Sequence, residues 1–163
     1  MGLDITAYMN IELVSEDIVE CDCDYGETIL YVNPAFPAQA DGLKTGRYTY
    51  WKCYPKTFRA GSYSYYNEWR AWLAKLVGKT DKEIWKNPQP GPFVELINFA
   101  DNEGVIGPET SKKLYQDFTD HFRDALKAIE KTPADDGFWY MTNYINFASA
   151  FDHASCKGAV CFH

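Results

Sequence analysis

Arg47, Arg59 and Arg70, three of the four arginines of this 163-residue chain, lie in one stretch, RYTYWKCYPKTFRAGSYSYYNEWRAW, with ten of its aromatic residues. Between residues 47 and 72 the basic side chains Arg47, Lys52, Lys56, Arg59 and Arg70 oppose a single acid, Glu68, although the whole chain carries a net charge of −7. A guanidinium fork grips phosphate or carboxylate through two parallel hydrogen bonds, and a flat aromatic face stacks on planar groups. The chemistry that suits this island is therefore recognition of a small anion that carries a ring, such as a nucleotide. Ser62 has the residue type of a helix N-cap, so the Ala60–Tyr63 segment would present free N–H groups at a positive helix end beside Arg59, with Arg70 two turns along. In this reading Arg59 and Arg70 clamp the anion, with Arg47 as a further cation, and Tyr63, Tyr66 or Trp69 stacks on its ring. The competing reading makes Tyr66, Trp69 and Trp72 core residues and leaves Arg70 paired with an acid.

A second candidate is ELINFADNEGVIGPE, where Asn98, Asp101, Asn102 and Glu103 precede Gly104 and Gly107. Such oxygens can hold a hard cation, but the alternating ligand series of a calcium loop is missing, and Asp/Asn-Gly loops are commonly turns. The favoured role for Asn98, Asp101 and Glu103 is to read the polar edges of a ligand held by Arg59 and Arg70, which requires the two blocks to meet in space. His121, with Asp117 and Asp124 at helical spacing, could serve a metal or proton transfer, or be part of a solvated face. No P-loop, Rossmann, G-x-S-x-G or H-E-x-x-H pattern occurs, and no nucleophile is marked with its base. No cofactor is implied.

The elements that would position these residues follow from periodicity. Ile5, Ala7, Met9, Ile11 and Leu13 alternate with polar positions and predict a strand over residues 3–14. Further strands are predicted at Thr28–Val32 and Tyr48–Tyr54, separated by a Pro- and Gly-containing loop, NPAFPAQADGLKTG. Helices are predicted from Ser62 to Gly78, over a T-x-x-E capping box at Thr80–Glu83 running through Trp85, and over Phe93–Ala100 after an NPQPGP connector. The longest helix is expected at Pro108–Lys131, with Leu114, Phe118, Phe122, Ala125 and Ile129 facing the core. Another is expected at Phe138–Phe151, and an edge strand at Gly158–Phe162. The result is an α+β fold in which helices pack on a small, mostly antiparallel sheet, as one domain over residues 1–163.

Bulk composition narrows the function classes. The chain is 46% hydrophobic and 17% aromatic, a globular composition, and no apolar run approaches the length of a membrane span. Its negative charge opposes binding of long nucleic acid, whose affinity depends on many phosphate contacts. The first residues lack the features of a secretory signal, so a cytoplasmic location is expected. The start M-G-x-x-x-T formally matches a myristoylation signal but reads better as the opening of the first strand. Five cysteines, Cys21, Cys23, Cys53, Cys156 and Cys161, form no zinc pattern and are expected as reduced thiols; acidic neighbours of Cys21 and Cys23 blunt their nucleophilicity.

The strings GLDITAY, FRAGSYSYYNEWR, ELINFADNEGVIGPETSKKL and the end GAVCFH together resemble a family of small phage and prophage proteins. The likeness runs through most of the chain and is least over residues 14–46 and 132–157. The resemblance brings no established activity, but it implies a setting in which small acidic proteins act against host enzymes or defence systems, some by sequestering nucleotide signals. A non-enzymatic binder of a small anionic ligand, such as a nucleotide or cyclic-nucleotide signal, is the leading expectation. The alternative is an inhibitor that docks on a host protein through the acidic surface and Tyr/Trp hot spots. A metal-dependent hydrolase using Asp101, Glu103 and His121 is the third. A homo-oligomer is open in all three.

Overall fold

A computed structural model describes residues 2–14, 24–52 and 54–163; Cys21, Cys23 and Cys53 lie outside the described residues. The elements in chain order are β1 (Gly2–Tyr8), β2 (Glu12–Leu13), β3 (Tyr25–Leu30), β4 (Gly46–Trp51), β5 (Lys56–Ser62), α1 (Tyr63–Leu76), α2 (Asp81–Lys86), α3 (Val94–Phe99), β6 (Gly104–Ile106), α4 (Pro108–Asp120), α5 (Phe122–Ile129), α6 (Ala134–Ala154) and β7 (Ala159–Phe162). One antiparallel sheet has the order β5-β1-β7-β6, and a smaller one the order β2-β4-β3. This is an α+β fold, with the four-stranded sheet as its middle layer.

Side-chain alternation explains the layering. On one face of that sheet Leu3, Ile5, Ala7, Ile106, Val160 and Phe162 enter the main core with the helices. On the other, Tyr8, Val105, Ala159 and Cys161 meet Leu30 and Tyr48 of the three-stranded sheet in a second core. Strand β7 is consequently buried at all four positions and lies between β1 and β6, not at an edge as its sequence position predicted. A strand covered on both faces reads as a continuous apolar run, and AVCF is one. Gly158 lets it enter, since a Cβ there would lie 1.9 Å from the Tyr8 carbonyl oxygen.

The predicted strand over residues 3–14 is two strands in two sheets. Asn10 takes φ 50°, a left-handed conformation that Asn tolerates, and the N–H groups of Asn10 and Ile11 donate to the carbonyls of Cys156 and Lys157. The chain leaves the first sheet at this turn and joins β4 of the second. The alternation continues through it, so Leu13, expected in the core, is half exposed.

Helix α1 begins as expected, with the Ser62 hydroxyl oxygen accepting from the Tyr65 N–H at 3.3 Å, and both bonds of the Thr80–Glu83 capping box are present at α2. The long helix expected over Pro108–Lys131 is interrupted at His121, which takes φ −97° and ψ 7°, giving α4 and α5. Leu114, Phe118 and Ala125 of its expected stripe are buried, whereas Phe122 is exposed. Helix α6, with 21 residues, is the longest among the described residues. No helix among them is long and apolar enough to cross a membrane.

Candidate functional site

The arginine-aromatic island of the sequence is divided by the fold into three environments. Its end, on α1, is interior. Arg70 is 1% exposed, its Nη1 donates to the Ile97 carbonyl at 2.8 Å, and its Nη2 donates to Asn67 Oδ1. The guanidinium carbon lies 5.1 Å from the Tyr66 ring centre and 5.2 Å from that of Trp85, whose Nε1 donates at 2.8 Å to the same Ile97 carbonyl. Arg70 thus fastens α1, α2 and α3 through a carbonyl, an amide and two ring faces, instead of reaching outward for a phosphate. Burial pulls its pKa below the ordinary guanidinium value, an effect opposed by Tyr66, Asp101 and Asp81.

Tyr66 and Trp69 are also fully buried. The Trp69 ring stacks on Tyr66 at 5.8 Å and on Phe147 at 4.8 Å, and its Nε1 donates to the Tyr140 carbonyl at 3.0 Å. Burial pushes the Tyr66 phenol well above the usual tyrosine range; the charge of Arg70 lowers it and that of Asp101 raises it. The aromatic stripe at helical spacing is core, which corrects the expectation that Tyr66, Trp69 and Arg70 line an open ligand site.

The middle of the island forms an edge strand, β5, which is not among the strands predicted from periodicity. At its end the pairing with β1 shifts between Leu3 and Asp4, and Gly61 takes φ 106°. This irregularity lets Ala60 turn into the core, where its carbonyl accepts from buried Asn143 at 3.0 Å. Arg59 points to solvent and pairs with Asp4 at 3.4 Å across the strand pair. Ser62 caps α1, and Tyr63 is partly buried against the core. Arg59 and Arg70 therefore occupy an exposed strand face and a buried helix face, and do not converge as a clamp.

The two sequence blocks do meet, through the interior. Ile97 of α3 receives Arg70, and the charge of Asp101 acts on Arg70 and Tyr66. Asn98 is partly buried on α3, while Asp101 and Glu103 are exposed ahead of β6. The Glu103 carbonyl accepts from Asn33 Nδ2 at 2.8 Å. His121 sits at the junction of α4 and α5, with Nδ1 3.7 Å from Asp124 and its ring 5.5 Å from that of Phe93. Among the described residues no group of three or more His, Cys, Asp and Glu is placed to hold a metal ion.

The start of the island is displayed. On β4, Arg47 and Trp51 face outward with Thr49, and their register partners on β3 are Ile29, Tyr25 and Glu27. Arg47 pairs with Glu27 at 3.6 Å, and the Trp51 ring lies 5.7 Å from that of Tyr54. Ile29 is 75% exposed and Trp51 41%, with Tyr25, Tyr31 and Tyr54 also exposed. At one end of this face, Ile29 and Tyr31 wall a pocket of about 250 Å³ completed by Glu103, Gly104, Val105, Cys161, Phe162 and His163.

Sequence reasoning missed this face because β3 ends with one large apolar residue toward each side. Ile29 and Leu30 are adjacent and equally apolar, so alternation alone did not assign the inner side. The available signal was that a sheet can bury only one face in a second core, so one of two such neighbours had to be displayed.

No family model, curated protein or solved structure matches the chain.

Proposed function

We propose that the chain is a non-enzymatic binding protein that docks a partner protein of opposite charge on the outer face of its three-stranded sheet. The observation that carries this reading is the exposed set Tyr25, Ile29, Tyr31, Trp51 and Tyr54 around the Arg47–Glu27 pair. Tyr, Trp and Arg dominate the energetics of protein interfaces because each removes a large rigid area from water and keeps a polar tip. A net charge of −7 favours a basic partner, through faster encounter and through penalties against acidic competitors. The resemblance to phage and prophage proteins makes a host enzyme or defence protein the natural class. A nucleotide clamp built on Arg59 and Arg70 has less support, since the first pairs with Asp4 at the surface and the second is interior.

The test is capture of a stoichiometric partner from host lysate, repeated with Trp51→Asp and with Phe138→Ser as a control on the helical layer, where Phe138 is 77% exposed. The reading expects a basic protein retained by wild type and by Phe138→Ser, weakened by salt, and lost with Trp51→Asp. Equal retention by Trp51→Asp would sink it. A nucleotide that raises the thermal midpoint of wild type but not of Arg59→Ala would restore the small-ligand reading in its place.

A further inference from the structure

The pocket at the end of the displayed face has an uneven chemistry. The exposed side chains of Ile29 and Tyr31 give it apolar walls, Glu103 is its one carboxylate side chain, and His163 lies in the same lining. Nearby, Glu27 pairs with Arg47 and Asp4 with Arg59. Among the described residues the Glu103 carboxylate has no ion-pair partner.

Its backbone, in contrast, is fixed. Asn33 donates through Nδ2 to the Glu103 carbonyl at 2.8 Å, while its Oδ1 accepts from the Ala35 N–H at 3.0 Å. Gly104 takes φ 138°, and a Cβ there would lie 2.9 Å from Asn33 Cβ and 3.3 Å from Phe99 Cζ. The missing side chain thus allows the Asn33 loop to close against the strand, which fixes the Glu103 backbone at the pocket. A carboxylate held over apolar walls selects a cation on an apolar stem, since such a side chain buries its methylenes and keeps its charged head at the opening. A guanidinium fits better than an ammonium, because it pairs with a carboxylate through two parallel bonds and stacks on a ring such as that of Tyr31.

We infer that this pocket receives an arginine side chain of the protein docked on the sheet face, with Glu103 as counter-ion and Tyr31 as stacking wall. The inference rests on the docking reading for its occupant, and on the pocket alone for its chemistry. It is tested on the full chain, ¹⁵N-labelled, by titration with Nα-acetyl-arginine amide, the neutral isostere Nα-acetyl-citrulline amide, and Nα-acetyl-lysine amide. The expected result is saturable shifts at the amides of Tyr31, Gly104, Val105 and His163 with the arginine probe, small ones with citrulline, and an apparent Kd about tenfold higher in Glu103→Gln. No saturable shift with arginine, an equal response to citrulline, or indifference to Glu103→Gln overturns the pocket. An equal response to lysine overturns the guanidinium assignment. Trp51 does not line the pocket. Loss of capture in Trp51→Asp with a silent titration therefore leaves docking standing without its anchor, and the reverse pattern leaves an arginine pocket without the docked face.

Discussion

Residues 47–54 and residues 63–72 have nearly the same chemistry, with an arginine among tyrosines and tryptophans, and the fold treats them in opposite ways. On α1 the rings of Tyr66 and Trp69 are fully buried and Arg70 is a clasp between helices. On β4 Trp51 and Arg47 stand exposed on the outer side of the second sheet. The difference is one of geometry. A helix with apolar residues at i, i+3 and i+7 presents one stripe to a core that surrounds it, whereas a strand sends alternate residues to opposite faces, and the second sheet has a core on one side. An arginine-aromatic composition thus signals a ligand site only where the element carrying it has a face left over.

The sharpest way to break this comparison is to truncate one tryptophan from each half. Trp69→Ala removes a ring stacked on Tyr66 and Phe147 together with the bond to the Tyr140 carbonyl, and should cost about 3–5 kcal/mol. Trp51→Ala, at a displayed position, should stay within about 0.5 kcal/mol of wild type. Chemical denaturation of both variants reads the difference directly. Equal costs would mean that the displayed face is covered in solution, which would point to self-association through it.

A smaller contrast is expected from the arginines. Arg70→Lys keeps the charge but loses the fork that reaches both Ile97 and Asn67, and should destabilise by about 2 kcal/mol. Arg47→Lys changes an exposed pair with Glu27, of a kind worth about 0–1 kcal/mol, and should be almost silent in stability. If Arg70→Lys were silent as well, the clasp would contribute no more than packing of its methylenes.

The sequence carried the local elements well and the long-range ones poorly. The Ser62 cap, the Thr80–Glu83 box and Pro108 at a helix start act within one turn, and each is where its residues place it. What it did not reveal depends on partners distant in the chain. The alternation from Ile5 to Leu13 runs unbroken across the Asn10 turn although Ile5 and Ala7 enter the main core, Ile11 packs against the second core and Leu13 is half exposed, so the pattern alone marked no break. Strand β5 was hidden since Arg59 and Gly61 read as loop residues until β1 supplies their register. Of the candidate site, Glu103 keeps a place in an open pocket, reached through β6 and β7 rather than through the arginine island. The displayed face was not legible, because nothing local to β3 says which side the second core will take.

The smallest effect is the one that most sharpens the claim that the buried half is structural. The Tyr66 hydroxyl is buried without a hydrogen-bond partner among the described residues, and its pKa is raised above the ordinary value of 10.0 chiefly by burial. The folded state therefore holds this proton at pH values where the unfolded chain has released it, so the stability it contributes is complete below pH 10.0 and declines as pH rises beyond that value. Tyr144, raised by the same cause, adds to the decline. Tyr66→Phe removes a buried polar atom that has no partner, so near neutral pH it should match wild type or exceed it by up to about 1 kcal/mol. Above pH 10.0 its stability should fall less steeply than that of wild type. Denaturation midpoints at neutral and alkaline pH measure both effects. A clear loss of stability in Tyr66→Phe at neutral pH would mean that the hydroxyl does have a partner in solution, and the interior half of the island would then have to be reconsidered as a place where something binds.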